Sequence, residues 1–141
     1  MREIRTFVDK NRYKCVWMFD PIFCASIYVT VGISNAEEIN LWIEDNFKIK
    51  NASSDSQFNA RTITIDHGMN VCIFFKSYKF DSTFCANLSH EAFHAAHMIL
   101  SYRGQGNNDP DGEEVHAYFS SWIVKETLDG LKRLNKKKQI E

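Results

Sequence analysis

The chain has 141 residues, 44% apolar and 25% charged, with a formal net charge of −1. That length and apolar share support one compact domain with its own core, spanning residues 1–141, and leave no room for a second. The near-neutral balance excludes a general nucleic-acid or membrane-surface binder. No stretch reaches the ~18 uninterrupted apolar residues of a membrane helix. The first residues, Met1 to Arg5, lack the apolar core of a signal peptide, so the expected location is the cytoplasm.

In chain order, strands are expected over residues 12–19 and 22–31, turned by Asp20-Pro21. Ser34-Asn35-Ala36-Glu37 reads as a capping box opening a helix to about Phe47, with Ile39, Trp42, Ile43 and Phe47 on one face. A polar loop runs from Asn51 to Asn59. Strands at 60–66 and 70–77 should then form a hairpin about His67-Gly68, setting Ile63 and Ile65 with Val71, Ile73 and Phe75 on one buried face. His67, on the turn, is expected to be exposed and unrelated to any metal. Two helices follow, one from about 82 to about 102 and one from Asp111 to about Leu128, before a basic tail at about 132–141 that reads as a solvated helix end. The order implies an α+β fold, a small antiparallel sheet packed on helices. Cys15, Cys24, Cys72 and Cys85 lack CxxC spacing and read as buried thiols. Cys15 and Cys24 could face each other across the first hairpin, although a cytoplasmic setting disfavours a bond.

The chemistry concentrates in Ser89-His90-Glu91-Ala92-Phe93-His94-Ala95-Ala96-His97, which contains one HExxH. Its helix is well marked, with an N-cap cluster at Asp81-Ser82-Thr83 and no Gly or Pro before Gly104. Histidines four apart on a helix lie one turn above each other, so His90 and His94 can converge on one ion at roughly 2.0–2.1 Å with Glu91 beside it. Around the axis, Asn87, His90, His94, His97 and Ser101 fall in one narrow stripe on an otherwise apolar helix, a seam that would floor a cleft. So short a motif recurs by chance, and histidines on a helix can be ordinary core or surface groups. Glu91 argues otherwise, since a carboxylate beside an apolar helical surface needs a partner or an ion.

A catalytic zinc takes three protein ligands and keeps one position for water. The extended pattern HExxHxxGxxH is excluded, because Leu100 stands where its third histidine would be. After Arg103 to Pro110, whose turn residues reverse the chain, Asp111-Gly112-Glu113-Glu114-Val115-His116-Ala117-Tyr118-Phe119 opens the next helix. Val115, Tyr118, Phe119, Trp122 and Ile123 form its expected apolar stripe, with Glu114 at the edge. Glu113 reads as a charge complementing the helix macrodipole.

HEAFHAAHMILSYRG followed by EEVHAY resembles the small zinc peptidases encoded by tailed bacteriophages of gut bacteria, and is more distantly similar to the Glu-zincins, whose third ligand is a glutamate on a downstream helix. The resemblance covers about residues 80–125. It implies a zincin-like fold, Zn2+ held by His90, His94 and Glu114, Glu91 as general base, and a peptide or protein substrate laid against a sheet edge above the metal helix. His116 departs from the pattern, standing where an apolar residue is usual, and His97 adds a third histidine to the motif helix. His116 could replace Glu114 as ligand, could donate to a transition state, or could be a solvent-exposed histidine; His97 reads as lining the cleft. Tyr118, His97 or His116 could steady an oxyanion.

The leading expectation is a zinc-dependent metallopeptidase. Its rival is a catalytically inactive zincin-fold metal-binding module, structural or host-interacting, against which the retained Glu91 argues. A non-peptide zinc hydrolase is a third reading, and its deaminase form is disfavoured because the HxE and PCxxC pattern is missing.

Overall fold

The computed structural model describes residues 2–50, 58–104 and 110–140, apart from the side chains of residues 110 and 137–140. Most of the polar loop expected from Asn51 to Asn59, the turn at 105–109 and the last side chains of the basic tail lie outside the described residues.

Five strands and three helices follow in the order β1 (Glu3–Val8), β2 (Lys14–Asp20), β3 (Ala25–Val31), α1 (Ala36–Phe47), β4 (Ala60–Ile65), β5 (Asn70–Phe75), α2 (Ser82–Tyr102) and α3 (Pro110–Ile140). The α+β expectation holds. The sheet order is β1-β2-β3-β5-β4. Three pairings are antiparallel, but β3 and β5 run parallel, so the sheet is mixed rather than antiparallel as expected. The physical reason is α1. It carries the chain away from the end of β3, so that β5 enters beside β3 in the same direction and β4 takes the edge. The strand β1 went unanticipated because its residues alternate between exposed and half-buried, as suits an edge strand carrying Glu3 and Arg5.

Both faces of the sheet are covered. Ile39, Trp42 and Ile43 of α1 pack with Ile33, Ile65, Cys72 and Phe74 on one side. On the other, Leu88, Ala92, Ala95, Ala96 and Ile99 of α2 and Phe119, Ile123 and Leu131 of α3 pack with Val16, Met18, Ile27, Val29, Val71, Ile73 and Phe75. The hairpin register therefore differs from the expected one. Ile63 sits opposite Cys72 and Ile65 opposite Asn70, under α1, while Thr62 and Thr64 sit opposite Ile73 and Val71 on the α2 side. Side chains alternate strictly along a strand, so residues of even and odd number on β5 serve two different cores.

The capping box on α1 also starts one residue later than read. Asn35 is the N-cap, accepting from the Glu38 amide at 2.9 Å and donating from Nδ2 to Glu38 Oε1 at 2.6 Å. On α3 the inward line is Gly112, His116, Phe119, Ile123, Thr127, Leu131 and Leu134, whereas Val115 and Trp122 are half-buried and Tyr118 is 69% exposed. The expected stripe was rotated toward the larger side chains. Farther along, the Cβ of an alanine at Gly130 would meet Val16 Cγ2 at 2.8 Å and Thr6 Cγ2 at 3.0 Å. Gly130→Ala should therefore lower stability by about 1–2 kcal/mol despite its better helix propensity, because two β-branched neighbours cannot retreat. Urea unfolding reads this directly; an equal or raised midpoint would show that α3 yields.

The cysteines are all free, and Cys15 lies opposite Thr30 rather than Cys24. Cys24 is exposed in the β2–β3 turn and Cys85 is half-buried, so only Cys15 and Cys72 match the expectation of buried thiols. Burial, with the charge of Asp9 second, pushes the Cys15 thiol up to about 12, and burial raises Cys72 as well. Brief iodoacetamide treatment of native protein should label Cys24 and spare Cys15 and Cys72 until urea is added. Peptide mapping showing Cys72 labelled as fast as Cys24 would contradict this packing. Among the described residues, no helix is long and apolar enough to cross a membrane.

Candidate metal centre

The helix that carries the motif begins where the sequence places it. Asp81 caps α2 by accepting from the Phe84 amide at 2.8 Å. Its far end is held by Arg103, whose guanidinium donates to the carbonyls of Phe23 at 2.8 Å, Cys24 at 3.1 Å and His67 at 3.3 Å. His67 is exposed on the turn, its ring against Tyr102, at a centroid distance of 5.8 Å. Between the two ends, Phe84, Leu88, Glu91, Ala92, Ala95, Ala96, Ile99 and Leu100 are buried. His90, His94, His97 and Ser101 are exposed on the opposite side, with Asn87 half-buried, so the polar seam forms the outward crest of α2.

The two motif histidines meet on that crest. Their Nε2 atoms are 3.1 Å apart and their ring centroids 4.7 Å apart. One neutral imidazole can donate to the other at this distance. It is also the spacing a shared ion requires, since two nitrogens each 2.0–2.1 Å from zinc are about 3.1–3.4 Å apart at angles of roughly 100–110°. The donor chemistry and the spacing therefore fit zinc for two of its ligands.

Glu91 points elsewhere, as one residue along a helix turns the side chain by about 100°. It is 7% exposed, wedged between α2 and the edge strand β4, and its Oε2 accepts from Thr62 Oγ1 at 3.1 Å. Thr62 was not singled out from the sequence. The signal was the Thr62 and Thr64 alternation, which places hydroxyls on the face of β4 that looks toward α2.

His116 is buried, 6% exposed, which removes the solvent-exposed reading. Its ring lies 4.5 Å from that of Phe93 and 6.3 Å from that of His97. Burial first, and the neighbouring His97 second, hold its pKa below the ordinary histidine value, while a hydrogen bond to the Phe93 backbone carbonyl pulls the other way. Glu113, Glu114 and Tyr118 are exposed. Glu114 and Tyr118, one helical turn apart, share the flank of α3 about 160–200° around from His116, which faces α2. The structure thus joins His90 to His94 but turns Glu91 inward to Thr62 of β4 and leaves Glu114 and Tyr118 on the outer side of α3. Among the described residues, no group of three or more His, Cys, Asp and Glu side chains converges as an ion-holding cluster.

Compared with known proteins, the chain matches no family model, no curated protein and no solved structure. The reading of the site therefore rests on its own residues.

Proposed function

We propose that the protein is a zinc-dependent metallopeptidase of gluzincin-like type. The observation that carries this reading is the His90–His94 pair, Nε2 to Nε2 at 3.1 Å on an open helix crest, with a desolvated carboxylate, Glu91, on the same helix turn. His90 and His94 would hold the ion, with Glu114 as the third donor suggested by the Glu-x-x-Ala-Tyr pattern. When bound, zinc lowers the pKa of water to about 7 and polarises a carbonyl. Glu91 accepts the proton of the attacking water and delivers it to the leaving amine nitrogen. Thr62 holds the carboxylate by one oxygen and so fixes which way it faces. Tyr118 is the proposed oxyanion donor by the Glu-x-x-Ala-Tyr pattern, although its ring is exposed on the outer flank of α3.

The place of β4 supports a peptide substrate. It is the edge of the sheet and adjoins α2 through the Thr62–Glu91 contact, so an extended peptide adding to this edge would run past Glu91.

Two observations favour the rival, a metal-binding module without turnover that serves a structural or host-interaction role: Glu114 stands apart from the histidine pair, and Glu91 faces Thr62 rather than the pair. Zinc-loaded protein incubated with unfolded casein decides between them. Cleavage products in mass spectra, lost with 1,10-phenanthroline and restored by added Zn2+, are expected of the peptidase. Bound zinc with no cleavage of casein or of a mixed peptide library would leave the module.

A further inference from the structure

We propose that His97 and His116 form a second metal-binding site, bridging α2 and α3, for a first-row divalent ion such as Zn2+. It uses neither His90 nor His94 and does not depend on the peptidase reading.

The inference starts from an unpaired atom. His116 is 94% buried, and its Nε2 has no hydrogen-bond partner. The hydrogen bond from the ring to the Phe93 carbonyl is consequently made through Nδ1. A neutral imidazole that donates from Nδ1 carries its lone pair on Nε2. Donation to a backbone carbonyl is also the support found behind metal-ligating histidines, where it fixes the tautomer and aims the free nitrogen. A buried acceptor without a donor is costly, and an ion removes that cost.

The second imidazole is at hand. The ring of His97 lies 6.3 Å from that of His116 by centroids. Imidazoles sharing a tetrahedral ion at 2.0–2.1 Å have centroids about 5–5.5 Å apart, so the His97 ring has to swing about 1 Å toward His116 to close the site. His97 is exposed, and its hydrogen bond to Ser101 Oγ, at 3.5 Å, is long enough to give way. The Phe93 ring flanks both, 4.5 Å from His116 and 6.5 Å from His97, and shields one side from water. His97 lies seven residues beyond His90 and three beyond His94, about 10 and 4.5 Å along the helix, but its ring turns to Phe93 and His116, so the ion it shares with His116 is centred apart from one held between His90 and His94. Two protein nitrogens bind more weakly than three ligands, and water completes the coordination.

Calorimetric titration of the metal-stripped full chain with Zn2+ tests this. Wild type should take up two ions, the second more weakly. H90A/H94A should keep that weaker ion, and adding His97→Ala should reduce its affinity by tenfold or more; His97 is exposed, so folding is preserved. His116→Gln, which retains side-chain hydrogen bonding, should do the same. Uptake of one ion by wild type and none by H90A/H94A would overturn the second site while leaving the peptidase reading intact. Retention in H90A/H94A that His97→Ala does not weaken would overturn it too. If instead His97→Ala removes an ion and H90A/H94A removes none, the second site stands and the proposed catalytic centre falls.

Discussion

Protein purified without added metal should carry about one tightly held zinc per chain, and His90→Ala or His94→Ala should weaken that binding on the order of 100-fold or more. The expectation follows from the 3.1 Å spacing of the two Nε2 atoms, since removing either imidazole leaves no chelating pair on the crest. Both residues are exposed, so their loss leaves the packing of α2 unchanged and the effect is one of affinity alone. Glu114→Ala should weaken the same ion far more than Glu113→Ala, whose charge serves the helix start. The tight site should be indifferent to His116→Ala. Elemental analysis of the purified variants, followed by competition with a chelating dye, measures all of these effects. A wild-type chain that neither contains nor takes up a divalent metal would end the metallopeptidase reading.

Glu91→Gln should keep zinc and lose hydrolysis by about 10²–10⁴-fold, the range general-base catalysis supplies. The amide matches the carboxylate in shape, and its carbonyl oxygen can still accept from Thr62, so the contact between α2 and β4 survives. What disappears is the ability to take a proton. Stability should change little, which separates this variant from one that merely unfolds the helix. Activity of Glu91→Gln equal to wild type on a substrate that wild type cleaves would show that another group is the base.

The motif helix was legible because its signals are local. An Asp81 cap, a run without Gly or Pro and a one-sided histidine stripe set its limits and its polar side, but that side is an outward crest and not the expected floor of a cleft. The sheet was less so. Whether β5 joins β3 in parallel depends on where α1 lies, and no alternation pattern within β5 records that. The face of α3 was misjudged for a related reason: large apolar residues suggested a stripe through Tyr118, but the line packed inward passes through Gly112 and His116. Glu114 came from a pattern match, and its position relative to the histidines is a tertiary property that helical spacing alone does not contain. The burial of Glu91 was foreshadowed by its apolar helical surroundings, while its partner Thr62 lay 29 residues upstream.

The parallel pairing of β3 with β5 constrains how the chain assembles. Ser26 meets Asn70 across 44 residues, whereas β1, β2 and β3 are joined by short turns and β4 and β5 by a hairpin. Closing that long loop carries the largest entropic penalty in the sheet, so the two halves can form early and dock late. With α2 over β4 and β5 and α3 over β1 and β2, the core floor that the two helices share becomes continuous only after docking. Substitutions within the early-forming meander and hairpin should consequently act on the rate of folding, while those at the late-docking strand junction act mainly on the rate of unfolding.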